Sequence, residues 1–180
     1  MPHEEKTVSS QTIFTGRVIS LRVDEVILEN GRQAKREVVD HPGGVCVLPL
    51  NENGEVTLVR QFRYPYREEL LEIPAGKRDH GEDPLECGKR ELEEETGLRA
   101  AQYVSLGELY PSPGYFSEVI YLYLATGLTK AAQRLDEDEF LDICTMPLAE
   151  AVEQTLQGKI KDAKTQVALL KTYALTIERQ

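Results

Sequence analysis

The sequence predicts an α/β fold: a mixed sheet covered on both faces by helices, with a small antiparallel β-sheet added at the N-terminus. Three observations lead there. Strand-like runs outnumber helix-like ones, and helices both interrupt and close the strand series. One acidic segment, residues 83–97, carries the start and stop signals of a helix. The first forty residues are strand-like, polar on one side and too few to bury a core alone. His41-Pro42-Gly43-Gly44 sets them off, which divides the chain into an extension, residues 1–42, and a main domain, residues 43–180.

Taken in order, residues 1–10 are polar and predict a loose arm. From Thr12 to Leu28, Val18, Leu21, Val23, Val26 and Leu28 stand among charged residues in a strand pattern. Asn30-Gly31 marks a hairpin turn, and residues 33–40 return as a second strand. Beyond the break, Val45–Leu50 and Glu55–Arg63 form an apolar hairpin around Asn51–Gly54. A short strand at Glu69–Ile73 runs into a tight loop at Pro74-Ala75-Gly76. Residues 102–109, 117–125 and 140–144 are further strands, and Tyr110–Phe116 (YPSPGYF) links the first two. Apolar residues at three- and four-residue steps predict helices over 147–157 and 163–177.

The acidic helix is the most informative segment. Asp83 reads as N-cap, Pro84 as the first helical residue and Glu86 as the third, while Gly97 stands where a left-handed residue ends a helix. Leu85, Gly88 and Leu92 form the inward stripe, and Gly88 implies that another backbone approaches there. Glu91, Glu94 and Glu95 share one face, although like charges four apart cost about 0.2–0.5 kcal/mol per pair. Clustered carboxylates are what a hard divalent cation such as Mg²⁺ takes. Arg90, one turn from both Glu86 and Glu94, can brace them.

Composition bounds the rest. At 180 residues, 41% hydrophobic and 29% charged, the chain has the make-up of a globular domain with a substantial core. A net charge of −10 argues against a nucleic-acid partner, though not against a nucleotide whose charge a metal offsets. No run approaches a membrane span, and MPHEEKTVSS lacks the basic-then-apolar pattern of a secretory leader. Cys46, Cys87 and Cys144 are odd in number and show no paired spacing. A cytoplasmic protein is expected.

From Gly76 to Leu98 the spacing is Gly, five residues, Glu82, seven residues, then Arg-Glu-Leu-Glu-Glu-Glu-Thr-Gly-Leu. This matches the Nudix box at all nine specified positions of a 23-residue window, so the chain resembles a Nudix hydrolase. The resemblance implies the Nudix α/β/α sandwich and hydrolysis of a nucleoside diphosphate linked to another moiety. It also implies Mg²⁺ or Mn²⁺, two or more ions per site, on Glu91, Glu94, Glu95 and the Ala75 carbonyl. Three further features are similar to bacterial ADP-ribose pyrophosphatases. Pro113-Gly114 follows the box at the family's offset, although Pro-Gly is a turn signal anywhere. Arg36-Glu37 and Arg63 stand where that family contacts substrate, and arginine forks suit phosphate on chemical grounds alone. In Asp136-Glu137-Asp138-Glu139, which composition alone reads as a solvated loop, the family places a glutamate that orients or deprotonates water. Glu137 aligns best there, Glu139 is the alternative, and Glu94 is the next candidate base.

The resemblance thus implies cleavage of ADP-ribose to AMP and ribose 5-phosphate by a homodimer joined through its N-terminal sheets. Other readings are a pyrophosphatase for another nucleoside diphosphate sugar, such as ADP-glucose or GDP-mannose, and a domain that binds ADP-ribose without cleaving it.

Overall fold

The structure is a computed structural model that describes residues 3–79, 81–135 and 139–177. Its elements are β1 (Lys6–Thr15), β2 (Ser20–Ile27), β3 (Gln33–Asp40), β4 (Gly44–Pro49), β5 (Glu55–Arg63), β6 (Glu68–Glu72), β7 (Ala75–Lys77), α1 (Pro84–Thr96), β8 (Leu98–Leu109), β9 (Ile120–Lys130), β10 (Leu141–Pro147), α2 (Leu148–Leu156) and α3 (Ala163–Ile177). Two compact units emerge. One holds the residues up to Gly43 together with Tyr110–Val119, and the other holds Gly44–Leu109 and the residues from Ile120 on.

In the first unit β1, β2 and β3 form an antiparallel sheet in that order. The expected loose arm is instead half of a strand. KTVSSQTIFT is exposed on both faces, so it lacks the apolar alternation that betrays a strand, and pairing with β2 alone orders it. Gly31, with φ 78°, closes the turn between β2 and β3 as Asn-Gly predicts. The Tyr110–Val119 segment joins this unit through backbone bonds on either side of Val39, to Tyr115 O at 2.8 Å and from Ser117 N at 2.9 Å.

In the second unit the strands divide between two sheets, one more than the single sheet expected. β7-β4-β9-β8 is mixed, with β4 and β9 parallel, and β10-β5-β6 is antiparallel. β4 is buried along its whole length because both of its faces are covered. Cys46 and Leu48 enter the larger core with Leu58, Leu122, Ala151 and Leu169, while Val47 packs with Leu92 of α1 and Ala125. This is the α/β/α arrangement. A Cβ on Gly88 would stand 3.0 Å from both Val45 and Val47 side chains, so side chains of β4, rather than a backbone, explain that glycine.

Candidate active site

Helix α1 begins as its sequence dictates. Asp83 accepts from the N–H groups of Leu85 and Glu86, at 2.9 and 3.2 Å, and Pro84 occupies the first turn. Gly97 ends it at φ 64°, ψ 30°. The helical period then separates the three glutamates by burial. Glu91 and Glu95, four apart, are 8% and 3% exposed, whereas Glu94 lies at the rim.

Both buried carboxylates face the β6–β7 turn and β7. A Cβ built on Gly76 would overlap the Glu91 carboxylate, so the first glycine of the box is there to let that carboxylate approach the backbone. Glu95 accepts the Ala75 N–H at 3.2 Å. Burial pushes the Glu95 carboxyl up, the Ala75 hydrogen bond opposes this, and the charges of Glu91 and Glu139 add to the rise, leaving it at about 8. Glu91 is also raised, first by burial and against the pull of Arg90, with Glu94 and Glu139 contributing.

Arg90 organises the rim. It reaches Glu82 through Nε at 3.1 Å and Nη2 at 3.2 Å, and through Nη1 it reaches Glu91 at 2.6 Å and Glu94 at 3.0 Å. The hydrogen bond from Arg90 takes Glu82 down to about 2, so that carboxylate stays charged throughout the neutral range. The expected brace from Arg90 to Glu86 is replaced, since Glu86 pairs with Lys89 at 2.7 Å. A longer partner, eight residues back in the loop, takes its place.

The carboxyl end of α1 anchors the chain that leads to the acidic loop, which the sequence did not disclose. Arg134 N donates to Glu94 O at 3.0 Å, Gln133 Nε2 to Glu95 O at 2.7 Å, and Ala131 N to Gly97 O at 2.7 Å. These bonds satisfy carbonyls that a helix end leaves open. Beyond them Glu139 is half-buried and close enough to raise both Glu91 and Glu95. Glu137 lies outside the described residues.

Arg63, at the end of β5, has its Nε/Nη2 fork on Glu72, at 2.6 and 2.7 Å. Glu72 also takes Lys164, which is held in turn by Asp162 at 2.9 Å. In the first unit Arg36 forks onto Glu5, at 2.9 and 2.5 Å. Its neighbour Glu37 points to the opposite face of the strand and is exposed. Pro113 and Gly114 are exposed at the centre of a turn in which Ser112 O accepts from Phe116 N at 3.1 Å.

Among the described residues, no three His, Cys, Asp or Glu side chains converge on one point. Glu91 and Glu94 lean on Arg90 instead. The donor set nevertheless fits a hard cation. It offers two buried carboxylate groups with raised pKa, a rim carboxylate and the backbone beside Gly76, all oxygen donors, and an ion would offset the burial that chiefly raises Glu95 and the charges of Glu91 and Glu139 that add to it.

An α/β/α domain with an acidic helix turned onto Ala75 and Gly76 is the setting of the site, and the comparisons with known proteins place it among the hydrolases. Residues 40–168 match the NUDIX domain, and residues 5–39 match the nucleoside diphosphate sugar hydrolase N-terminal domain. The chain belongs to the Nudix family, whose members work with divalent metal ions. It is 45% identical over 92% of its length to the methanol dehydrogenase activator of Bacillus methanolicus, covering 91% of that protein. It is 42% identical, with the same coverage of both chains, to the ADP-ribose pyrophosphatase of Bacillus subtilis. A solved structure described as an ADP compounds hydrolase superposes with a TM-score of 0.85, covering 98% of this chain and 96% of that one at 22% identity, a likeness of fold.

Proposed function

We propose that this Nudix hydrolase cleaves the diphosphate of ADP-ribose to AMP and ribose 5-phosphate. The observation that carries the reading is the pair of buried carboxylates, Glu91 and Glu95, seated against Ala75 and Gly76. The likeness to an ADP-ribose pyrophosphatase along nearly the whole chain supports the substrate.

Glu91, Glu95, Glu94 and the Ala75 carbonyl would hold two or more divalent ions, Mg²⁺ or Mn²⁺. Such ions neutralise diphosphate charge, lower the pKa of bound water and stabilise the leaving phosphate oxygen. The chain's own residues supply the rest. Glu137 would accept the proton of the attacking water. Glu139, whose charge is felt by both buried glutamates, is the alternative, and Glu94 follows. Arg36 can exchange Glu5 for a phosphate at little cost, because that ion pair is about 40% exposed at each side chain. Arg63 keeps its Nε/Nη2 fork on buried Glu72 and offers the diphosphate its Nη1/Nη2 edge. Glu37, Pro113 and Gly114 complete the proposed substrate contacts.

We further propose a homodimer. β1 is an edge strand with Val8, Ile13 and Phe14 all more than half exposed, and an open apolar edge needs a partner. Among the described residues no helix is long and apolar enough to cross a membrane. We also infer a cytoplasmic setting, which the odd number of cysteines and their lack of paired spacing support.

The test is chromatography of the products after incubation with Mg²⁺ and, separately, ADP-ribose, ADP-glucose and GDP-mannose. AMP and ribose 5-phosphate from ADP-ribose, at the highest kcat/KM of the three, is the expected result. Faster cleavage of another sugar nucleotide would reassign the substrate, and tight binding of ADP-ribose without products would replace the enzyme with a binding domain.

A further inference from the structure

Lysine in the first turn of a helix faces the positive end of the helix dipole, so helix stability gives no reason for Lys164 in α3. The structure supplies another reason. Lys164 turns inward, its side chain 12% exposed, onto the carboxylate of Glu72, which is 1% exposed. Asp162 holds Lys164 with Oδ1 at 2.9 Å, and its Oδ2 accepts from Thr165 N at 2.9 Å and Thr165 Oγ1 at 2.6 Å. Thr165 Oγ1 in turn accepts the Ile73 N–H at 2.8 Å, next to Glu72 in the chain. One carboxylate is thereby pinned from both sides: Arg63 takes Oε1 and Oε2, and Lys164 takes Oε2.

We propose that Lys164 and Asp162 are positioning residues for substrate binding, fixing Glu72 so that it presents the guanidinium of Arg63 in one orientation. The proposal rests on the reading of Arg63 as a diphosphate ligand. β5 ends at Arg63 and an exposed turn follows, so the strand alone leaves a long side chain free to sample many rotamers. Holding one edge of its fork on an anchored carboxylate leaves the other edge preorganised for phosphate oxygens, and preorganisation appears as affinity. The two cations and two carboxylates balance, which lets the group be buried. Burial lowers the affinity of Lys164 for its proton, but Asp162 and Glu72 outweigh it, so the ammonium stays charged.

A double-mutant cycle tests this on whichever sugar nucleotide the wild type cleaves, so that failure of the ADP-ribose assignment and failure of this proposal are separate results. Lys164→Met should raise KM about tenfold, the upper end for the ordering cost of one long side chain at a binding site, while kcat falls less than about threefold. In an Arg63→Ala background the same change should move KM by less than about twofold, because the group it orients is gone. Asp162→Asn, a milder change that keeps an oxygen for Thr165, should raise KM in the same direction and guards against misfolding of Lys164→Met. An unchanged KM in folded Lys164→Met and Asp162→Asn, with only a lowered melting temperature, would make the cluster structural and overturn the proposal. So would an equal effect of Lys164→Met with and without Arg63.

Discussion

Replacing Glu95 by glutamine should separate stability from catalysis in opposite directions. Glu95 is 3% exposed, and its carboxyl is displaced from 4.5 to about 8, chiefly by burial, with Glu91 and Glu139 adding to the rise. Between those two values the folded chain holds a proton that the unfolded chain has released, so metal-free stability falls as pH rises from about 4.5 to 8. At 1.36 kcal/mol per pKa unit the full displacement is worth up to about 5 kcal/mol. Glutamine keeps the shape, and its carbonyl can still accept the Ala75 N–H. In chelator at pH 8.5, Glu95→Gln should therefore be more stable than wild type by a few kcal/mol, and at pH 5 the two should nearly coincide. Mg²⁺ should stabilise the wild type by mass action and the variant far less. Urea unfolding followed by circular dichroism at the two pH values, with and without Mg²⁺, measures all four quantities. A variant less stable than wild type in chelator at pH 8.5, or one stabilised equally by Mg²⁺, would refute the reasoning.

Gly76→Ala should lower kcat at least tenfold with the fold retained, because a methyl group would displace the Glu91 carboxylate; steady-state kinetics and circular dichroism check it. Glu137→Gln should cost about 10²–10⁴-fold in kcat with KM and Mg²⁺ affinity nearly unchanged. If Glu139→Gln shows that loss instead, the base lies two residues later, and near-normal rates from both variants would shift attention to Glu94. Light scattering at micromolar protein should give the mass of a dimer, and deleting residues 1–40 should give a monomer with much weakened substrate binding. A monomeric full-length chain would refute the edge-strand argument.

What could be read from the sequence was local. The Asp83 cap, the Gly97 stop and the spacing of the glutamates are set within three helical turns, so α1 and its acidic face follow from residue order alone. β5 and α3 appear with their predicted bounds because each alternates or repeats against a core. The first half of β1 escaped, and its second half ran together with β2, because a strand exposed on both faces has no such pattern. β8 starts earlier than expected, at Leu98, and β9 is displaced, starting at Ile120 rather than 117 and running on to Lys130, since their mutual pairing continues beyond the apolar residues. The site was legible where the box specifies it and not where distant segments meet. Nothing near Arg63 announces Glu72 and Lys164 as its holders, and nothing near Gln133 announces the end of α1. Burial likewise distinguishes Glu91 and Glu95 from Glu94, which the count of carboxylates alone does not.

In the proposed function the buried carboxylates of α1 carry a metal-dependent cleavage of ADP-ribose. The most direct measurement is AMP release from ADP-ribose by chelator-treated protein as Mg²⁺ is added back, for wild type and Glu95→Gln together. No release is expected without metal, with a saturable return of activity in the wild type and a rate at least about a hundredfold lower in the variant at the same Mg²⁺. AMP release without divalent metal, or equal rates from the two proteins at saturating Mg²⁺, would contradict it.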